Sequence, residues 1–179
     1  MANFLTALRL ILIMPIAYGL ANPGSMPGFW IVILLLLAIA SDFLDGKVAR
    51  ALGTASARGM LFDHSTDFLF VTSTMLALAF AGILPFLLPL LVIIAFSQYV
   101  LDSYLWFKQK QLKMSFLGRW NGVFYFGPAL LFALALIPTT SSIQNFFQGC
   151  SLLLAYGLIV STVLSIADRS LAPLLQKES

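Results

Sequence analysis

The chain predicts an all-α fold, an integral membrane bundle of six transmembrane helices with cytoplasmic N- and C-termini, forming a single domain over residues 1–179. Three observations lead there. Of its residues 60% are hydrophobic and 9% charged, where a soluble domain carries roughly a quarter charged, and the mean hydropathy is +0.97. Six apolar runs approach the ~20 residues that cross a hydrocarbon core as a helix. With those runs numbered as alternating crossings, all ten Lys and Arg residues fall on one side, which the positive-inside rule assigns to the cytoplasm.

The first run, near residues 5–21, follows Met1 without a basic leader segment and holds Arg9 within it, so it is expected to be a retained helix rather than a cleaved signal. NPGSMPG at 22–28 ends it, because Asn, Pro and Gly favour turns over helix. The second run, 28–50, finishes in DFLDGKVAR, and LGTASARG at 52–59 separates it from the third, 60–81. Gly82 and Pro85 precede the fourth, 84–107, where Gln98 and Asp102 share a face and suggest a polar interhelical contact. KQKQLKMS at 108–115 leads to the fifth, 118–138, and PTTSSIQN at 138–145 to the sixth, 146–167. Trp30, Trp106 and Trp120 fall near predicted membrane boundaries, where indole rings anchor helices.

Composition also excludes functions. The net charge of +3 reads as topology and phosphate binding, so no nucleic-acid partner is expected. The single Cys150 allows no internal disulfide framework and fits apolar packing.

Four of the seven acidic residues lie within DFLDGKVARALGTASARGMLFDHSTD, residues 42–67. At about 100° per residue, Asp45, Gly46, Ala49 and Arg50 all fall within roughly 80° of Asp42. Gly59, Asp63 and Asp67 follow one another at intervals of four on the next helix, which places them along one stripe. An antiparallel turn between the two helices would converge four carboxylates at the cytoplasmic interface, where their mutual repulsion calls for a cation. Oxygen ligands with hardly any Cys or His favour Mg²⁺, Mn²⁺ or Ca²⁺ over zinc. Four carboxylates are enough for two ions, an arrangement that commonly serves displacement at phosphorus. Gly46, Ala49 and Gly59 clear side-chain bulk from the acidic faces, and Arg50 offers forked donors to phosphate. The plainer alternative is a solvated loop of ordinary ion pairs, but the paired helical spacing and the small residues argue against it. An EF-hand fails because DFLDGK lacks the alternating chelators and the terminal Glu.

The stretch resembles, position by position, the signature of the CDP-alcohol phosphatidyltransferases, D-x2-D-G-x2-A-R-x8-G-x3-D-x3-D, here Asp42, Asp45, Gly46, Ala49, Arg50, Gly59, Asp63 and Asp67. The opening Asn3, Thr6 and Arg9 are similar to the family's first-helix N-x2-T-x2-R pattern. The resemblance covers the whole chain and includes members such as phosphatidylglycerophosphate synthase and cardiolipin synthase. It implies transfer of a phosphatidyl group from CDP-diacylglycerol to an alcohol with release of CMP, by a membrane-embedded homodimer using two Mg²⁺ or Mn²⁺ ions. Asp42, Asp45, Asp63 and Asp67 would hold metal, with Asp67 also the base on the acceptor hydroxyl. Asp42, Gly46, Ala49, Arg50 and Gly59 would bind the CDP moiety. Asn3, Thr6, Arg9, Lys113 and Arg119 are candidates for the acceptor or its phosphate, Lys113 and Arg119 because K-x5-R-W-N-G resembles an acceptor-binding stretch of several members. Lys108 and Lys110 are better explained by topology and attraction to anionic lipid. His64, inside the signature at a variable position, is read as a hydrogen-bond donor before a catalyst.

The expected setting is the cytoplasmic membrane of a bacterium, with the site facing the cytosol. Some phosphatidylglycerophosphate synthases carry an R-E pair in the fourth span and G-K-x2-T before the fifth. Ser97 to Asp102 and Gly118 to Asn121 depart from both. Glycerol 3-phosphate, phosphatidylglycerol and a small polyol therefore stay open, with a glycerol-based acceptor expected. Two other classes compete. An intramembrane Mg²⁺-dependent prenyltransferase also uses Asp pairs but without the Gly/Ala-Arg-Gly frame, and a divalent-cation transporter would need polar groups continuing across the bilayer.

Overall fold

A computed structural model describes the backbone of residues 2–51, 57–105 and 116–175, and the side chains of residues 6–44, 62–101 and 117–170. All described elements are helices: α1 (Ala2–Ala21), α2 (Gly28–Ala51), α3 (Ala57–Phe80), α4 (Leu87–Leu105), α5 (Phe116–Phe124), α6 (Gly127–Ala135) and α7 (Ser141–Leu175). Five of the six expected runs thus appear as single helices. The fifth, expected over 118–138, is instead divided into α5 and α6. Pro128 explains the division, since it has no N–H to return to the carbonyl of Phe124 and its ring crowds the preceding turn. Helical bonds resume on either side, Tyr125 N–H to Asn121 O at 2.9 Å and Leu130 N–H to Phe126 O at 3.1 Å.

The helices close into a ring in which α1 packs on α2 and α3, α3 on α4, α4 on α7, α7 on α6, and α6 on α2. Gly28 lets α2 start against the end of α6, because a Cβ there would lie 2.4 Å from the carbonyl carbon of Leu136. Gly82, with φ of +73°, makes the tight turn from α3 toward α4, a conformation that costs glycine little.

Apolar side chains fill the core and also cover much of the exterior. Arg9, Thr66, Thr74, Ser151 and Thr162 are buried, while Met14, Phe80 and Leu153 are about three-quarters exposed, at 78%, 75% and 75%. Several buried hydroxyls bond helix carbonyls one turn back, as Thr74 does on Val71 O at 2.9 Å and Thr162 on Leu158 O at 2.6 Å, which keeps those polar atoms from facing an apolar medium unpaired. Among the described residues one stretch, Ser141–Ser170, is long and apolar enough to cross a membrane by length and composition alone. Thr6–Ala21, Gly28–Leu44 and Leu87–Leu101 are apolar but shorter.

Candidate functional site

Arg9 anchors the site. It lies on α1, the helix packed on both α2 and α3, and its side chain is fully buried. From α2, Asp42 Oδ1 lies 3.1 Å from its Nη1. From α3, Asp63 Oδ1 accepts from Nη1 and Nη2, each at 3.4 Å, and Asp67 Oδ1 pairs with Nη1. Helical geometry makes this convergence possible, because Asp63 and Asp67 stand one above the other at i and i+4 on one face of α3. Thr66, buried between them in sequence, folds its hydroxyl onto Phe62 O at 3.0 Å and so adds no competing donor.

A ligating oxygen from each of Asp63 and Asp67 and a ring nitrogen of His64 all lie within 4.8 Å of one another, a spacing that one divalent ion could bridge. Three carboxylates already gathered on one buried cation fit a divalent ion chemically, since they present hard oxygen donors where positive charge is required. His64 adds an imidazole, a donor more at home with transition metals such as Mn²⁺ than with Mg²⁺ alone. Its ring meets Tyr99 edge-on, with centroids 6.3 Å apart.

Beside the carboxylates opens a cavity of about 470 Å³. Asp42 from α2 and His64 and Asp67 from α3 form one part of its wall, Gln98 and Tyr99 from α4 and Arg119 and Arg169 from α5 and α7 another. Arg169 packs on Tyr99, its Cζ 4.9 Å from the ring centroid, a favourable stacking for a guanidinium. Gln98 Nε2 donates to Ile166 O at 3.2 Å and to Ser170 Oγ at 2.9 Å, so the interhelical contact expected of it joins α4 to α7. Asn121 accepts from Ser161 Oγ at 2.6 Å, tying α5 to α7.

The structure thus unites Asp42, Asp63 and Asp67 as the helical spacing expected. It places Arg9 among these acids, at the centre of the cluster. Thr6 is buried a turn before it, and Arg119 is exposed on the cavity wall. Asp45, Gly46, Ala49 and Arg50 lie on α2 and Gly59 on α3, Asn3 on α1, but their side chains fall outside the described residues, as do those of Lys113 and Asp102. Sequence reasoning gave neither Arg169 nor Tyr99 a role in the site. An aromatic residue and an arginine, each six residues before the C-terminal end of its helix, were the available signals.

The family model for CDP-alcohol phosphatidyltransferase matches residues 1–166. A stretch of 70 residues, 39% of this chain, is 37% identical to a cardiolipin synthase (CMP-forming) of Streptomyces coelicolor and covers 33% of that protein. Over 105 residues, 52% of the chain, it is 31% identical to the CDP-diacylglycerol--glycerol-3-phosphate 3-phosphatidyltransferase of Treponema pallidum, covering 49% of it. The protein of the same name in Mycoplasma genitalium is 32% identical over 93 residues, 50% of this chain and 39% of its own length. The matched stretch therefore spans between a third and a half of the length of these relatives.

Proposed function

Because the chain belongs to the CDP-alcohol phosphatidyltransferase family, we propose that it transfers a phosphatidyl group from CDP-diacylglycerol to a glycerol-based alcohol and releases CMP. The observation that carries this reading is the convergence of Asp42, Asp63 and Asp67, from two helices, on the buried Arg9. All four residues lie within the matched region.

Asp42, Asp45, Asp63 and Asp67 are the ligands of two Mg²⁺ or Mn²⁺ ions, with His64 close enough to contribute. When bound, such ions offset the pyrophosphate charge and stabilise the departing nucleotide. The chain's own residues do the rest. Gly46, Ala49 and Gly59 leave the helix faces bare for the cytidine, with Asp42 beside it and Arg50 on the nucleotide phosphates. Asp67, lining the cavity, takes the proton of the acceptor hydroxyl as its oxygen bonds to the phosphatidyl phosphorus, and the bond from that phosphorus to the CMP oxygen breaks. Arg119, on the same cavity, takes the acceptor's phosphate, with Lys113, Asn3 and Thr6 as further candidates.

The apolar exterior of the bundle supports a multi-pass protein of six crossings, with α5 and α6 together making the fifth, and the basic residues gathered on one side of that arrangement support cytoplasmic termini and a site facing the cytosol of a bacterial membrane. The residues form one domain, and the working unit is a homodimer.

Replacing the base tests the assignment. Asp67→Asn is expected to lower transfer by ~10²–10⁴-fold, the usual worth of general-base catalysis, while retaining CDP-lipid binding. A fully active Asp67→Asn would remove Asp67 from that role.

A further inference from the structure

We propose that His64 is a ligand of the bound metal and that its ring nitrogen makes the site prefer a first-row transition ion such as Mn²⁺ to Mg²⁺. This rests on the metal-dependent transfer reading above and specifies which cation the site selects.

His64 belongs to this chain and not to the signature, in which its position is variable. It is the only histidine of the sequence. On α3 it stands next to Asp63 and three residues before Asp67, both of them signature acids. Three residues are close to one helical turn, so His64 and Asp67 can face one ion. A ring nitrogen of His64 and an oxygen from each of the two acids lie within 4.8 Å of one another. That is little more than the ~4.2 Å separating opposite ligands of an ion bonded at ~2.1 Å. Arg9 takes Oδ1 of both acids, and each carboxylate has a second oxygen to offer a cation. His64 also lines the same cavity as Asp42 and Asp67.

Neighbouring rings hold the imidazole in place. His64 and Phe68 are one turn apart on α3, and Phe96 and Tyr99 are three residues apart on α4, so each pair shares a helix face. Phe68 stacks on Phe96 with centroids 4.1 Å apart, His64 meets Tyr99 edge-on at 6.3 Å, and Phe96 lies 6.2 Å from Tyr99. Tyr99 is itself buried and carries the Arg169 guanidinium against its ring. The His64 ring therefore abuts a packed wall, and little rotamer freedom is left to lose when its nitrogen takes up an ion.

An imidazole in this set changes which ion fits best. Mg²⁺ is hard, takes oxygen ligands and keeps several of its waters. A nitrogen donor favours transition ions, whose affinity for such sites rises from Mn²⁺ toward Cu²⁺ along the first row. A neutral imidazole also adds no charge, so it tunes the choice of ion without adding to the repulsion among Asp42, Asp63 and Asp67.

The test uses the purified full chain in detergent, free of any histidine tag and loaded with Mn²⁺. Because His64 is the only histidine, an imidazole nitrogen coupled to the Mn²⁺ electron spin in pulsed EPR is its own. The expected result is a ¹⁴N coupling in the wild-type chain that changes to the ¹⁵N pattern after growth on ¹⁵N-histidine and disappears in His64→Gln. Bound Mn²⁺ with no nitrogen coupling overturns the proposal and leaves the carboxylate site and the transfer reading intact. Binding of neither Mn²⁺ nor Mg²⁺, together with CMP release that EDTA does not stop, overturns the metal-dependent reading and the proposal with it.

Metal titrations of His64→Gln read the selectivity. The variant puts an amide oxygen where the nitrogen stood. It is expected to bind Mn²⁺ about tenfold more weakly, the lower end of the ~10–100-fold lost when a supporting group of a metal site is removed, and to lose much less affinity for Mg²⁺. Equal losses for the two ions contradict selection by His64. The isotope measurement needs no substitution, so it decides the ligand assignment even where the variant folds poorly.

Discussion

Arg9 lets the carboxylates coexist. Asp42, Asp63 and Asp67 approach one guanidinium with no exposed surface, and withdrawing that charge would leave three acids facing one another, with only a divalent ion to replace it. Removing one partner of a buried ion pair costs about 3–5 kcal/mol. Arg9→Gln should therefore lower the thermal unfolding midpoint sharply in EDTA, and added Mn²⁺ should recover more of the loss than it adds to the wild-type chain, because binding to the folded state stabilises it by mass action. Thermal scans of the detergent-solubilised protein with and without Mn²⁺ read this out. An equal loss under both conditions would mean that Arg9 serves packing and not charge.

The helices show how far the sequence can be read and where reading stops. Length and hydropathy located all the helical runs because each is bounded by strong breakers such as NPGSMPG and PTTSSIQN. The i, i+4 pair Asp63 and Asp67 was equally legible, since it depends only on helical period. Arg9 was not, because its place depends on how α1 docks between α2 and α3. The same holds for Arg169 and Tyr99, whose stacking depends on the pairing of α4 with α7. Pro128 was visible yet its effect was missed, since a membrane span tolerates proline and only the lost bond to Phe124 reveals the break. Close packing between elements gives a further prediction. Gly28→Ala would drive a methyl into the backbone of Leu136 and Ile137 and should cost about 1–3 kcal/mol, as overpacking does. Gly149→Ala, where a Cβ meets nothing within 4 Å, should be neutral or gain up to ~1 kcal/mol from helix propensity. Equal unfolding midpoints for the two variants would contradict the close approach at Gly28.

At the scale of the whole molecule, large apolar side chains cover the exterior while a minority of polar side chains lies buried within an apolar core, which suits lipid as the surrounding solvent. On the proposed six-crossing topology the ten basic residues fall on one side, which the positive-inside rule assigns to the cytoplasm. Thr139, exposed in the turn before α7, should lie on the outer face. In a Cys150→Ser background, Thr139→Cys is expected to react with an impermeant maleimide added outside intact cells, and labelling only after lysis would invert the topology. The central claim is that the carboxylate cluster is the centre of a metal-dependent phosphatidyl transfer. Its most direct test is CMP release from CDP-diacylglycerol by the purified full chain with a lipid or soluble glycerol acceptor. The account predicts release that needs Mg²⁺ or Mn²⁺, stops with EDTA and is lost in Asp67→Asn; release that persists without divalent ions or in that variant would contradict it.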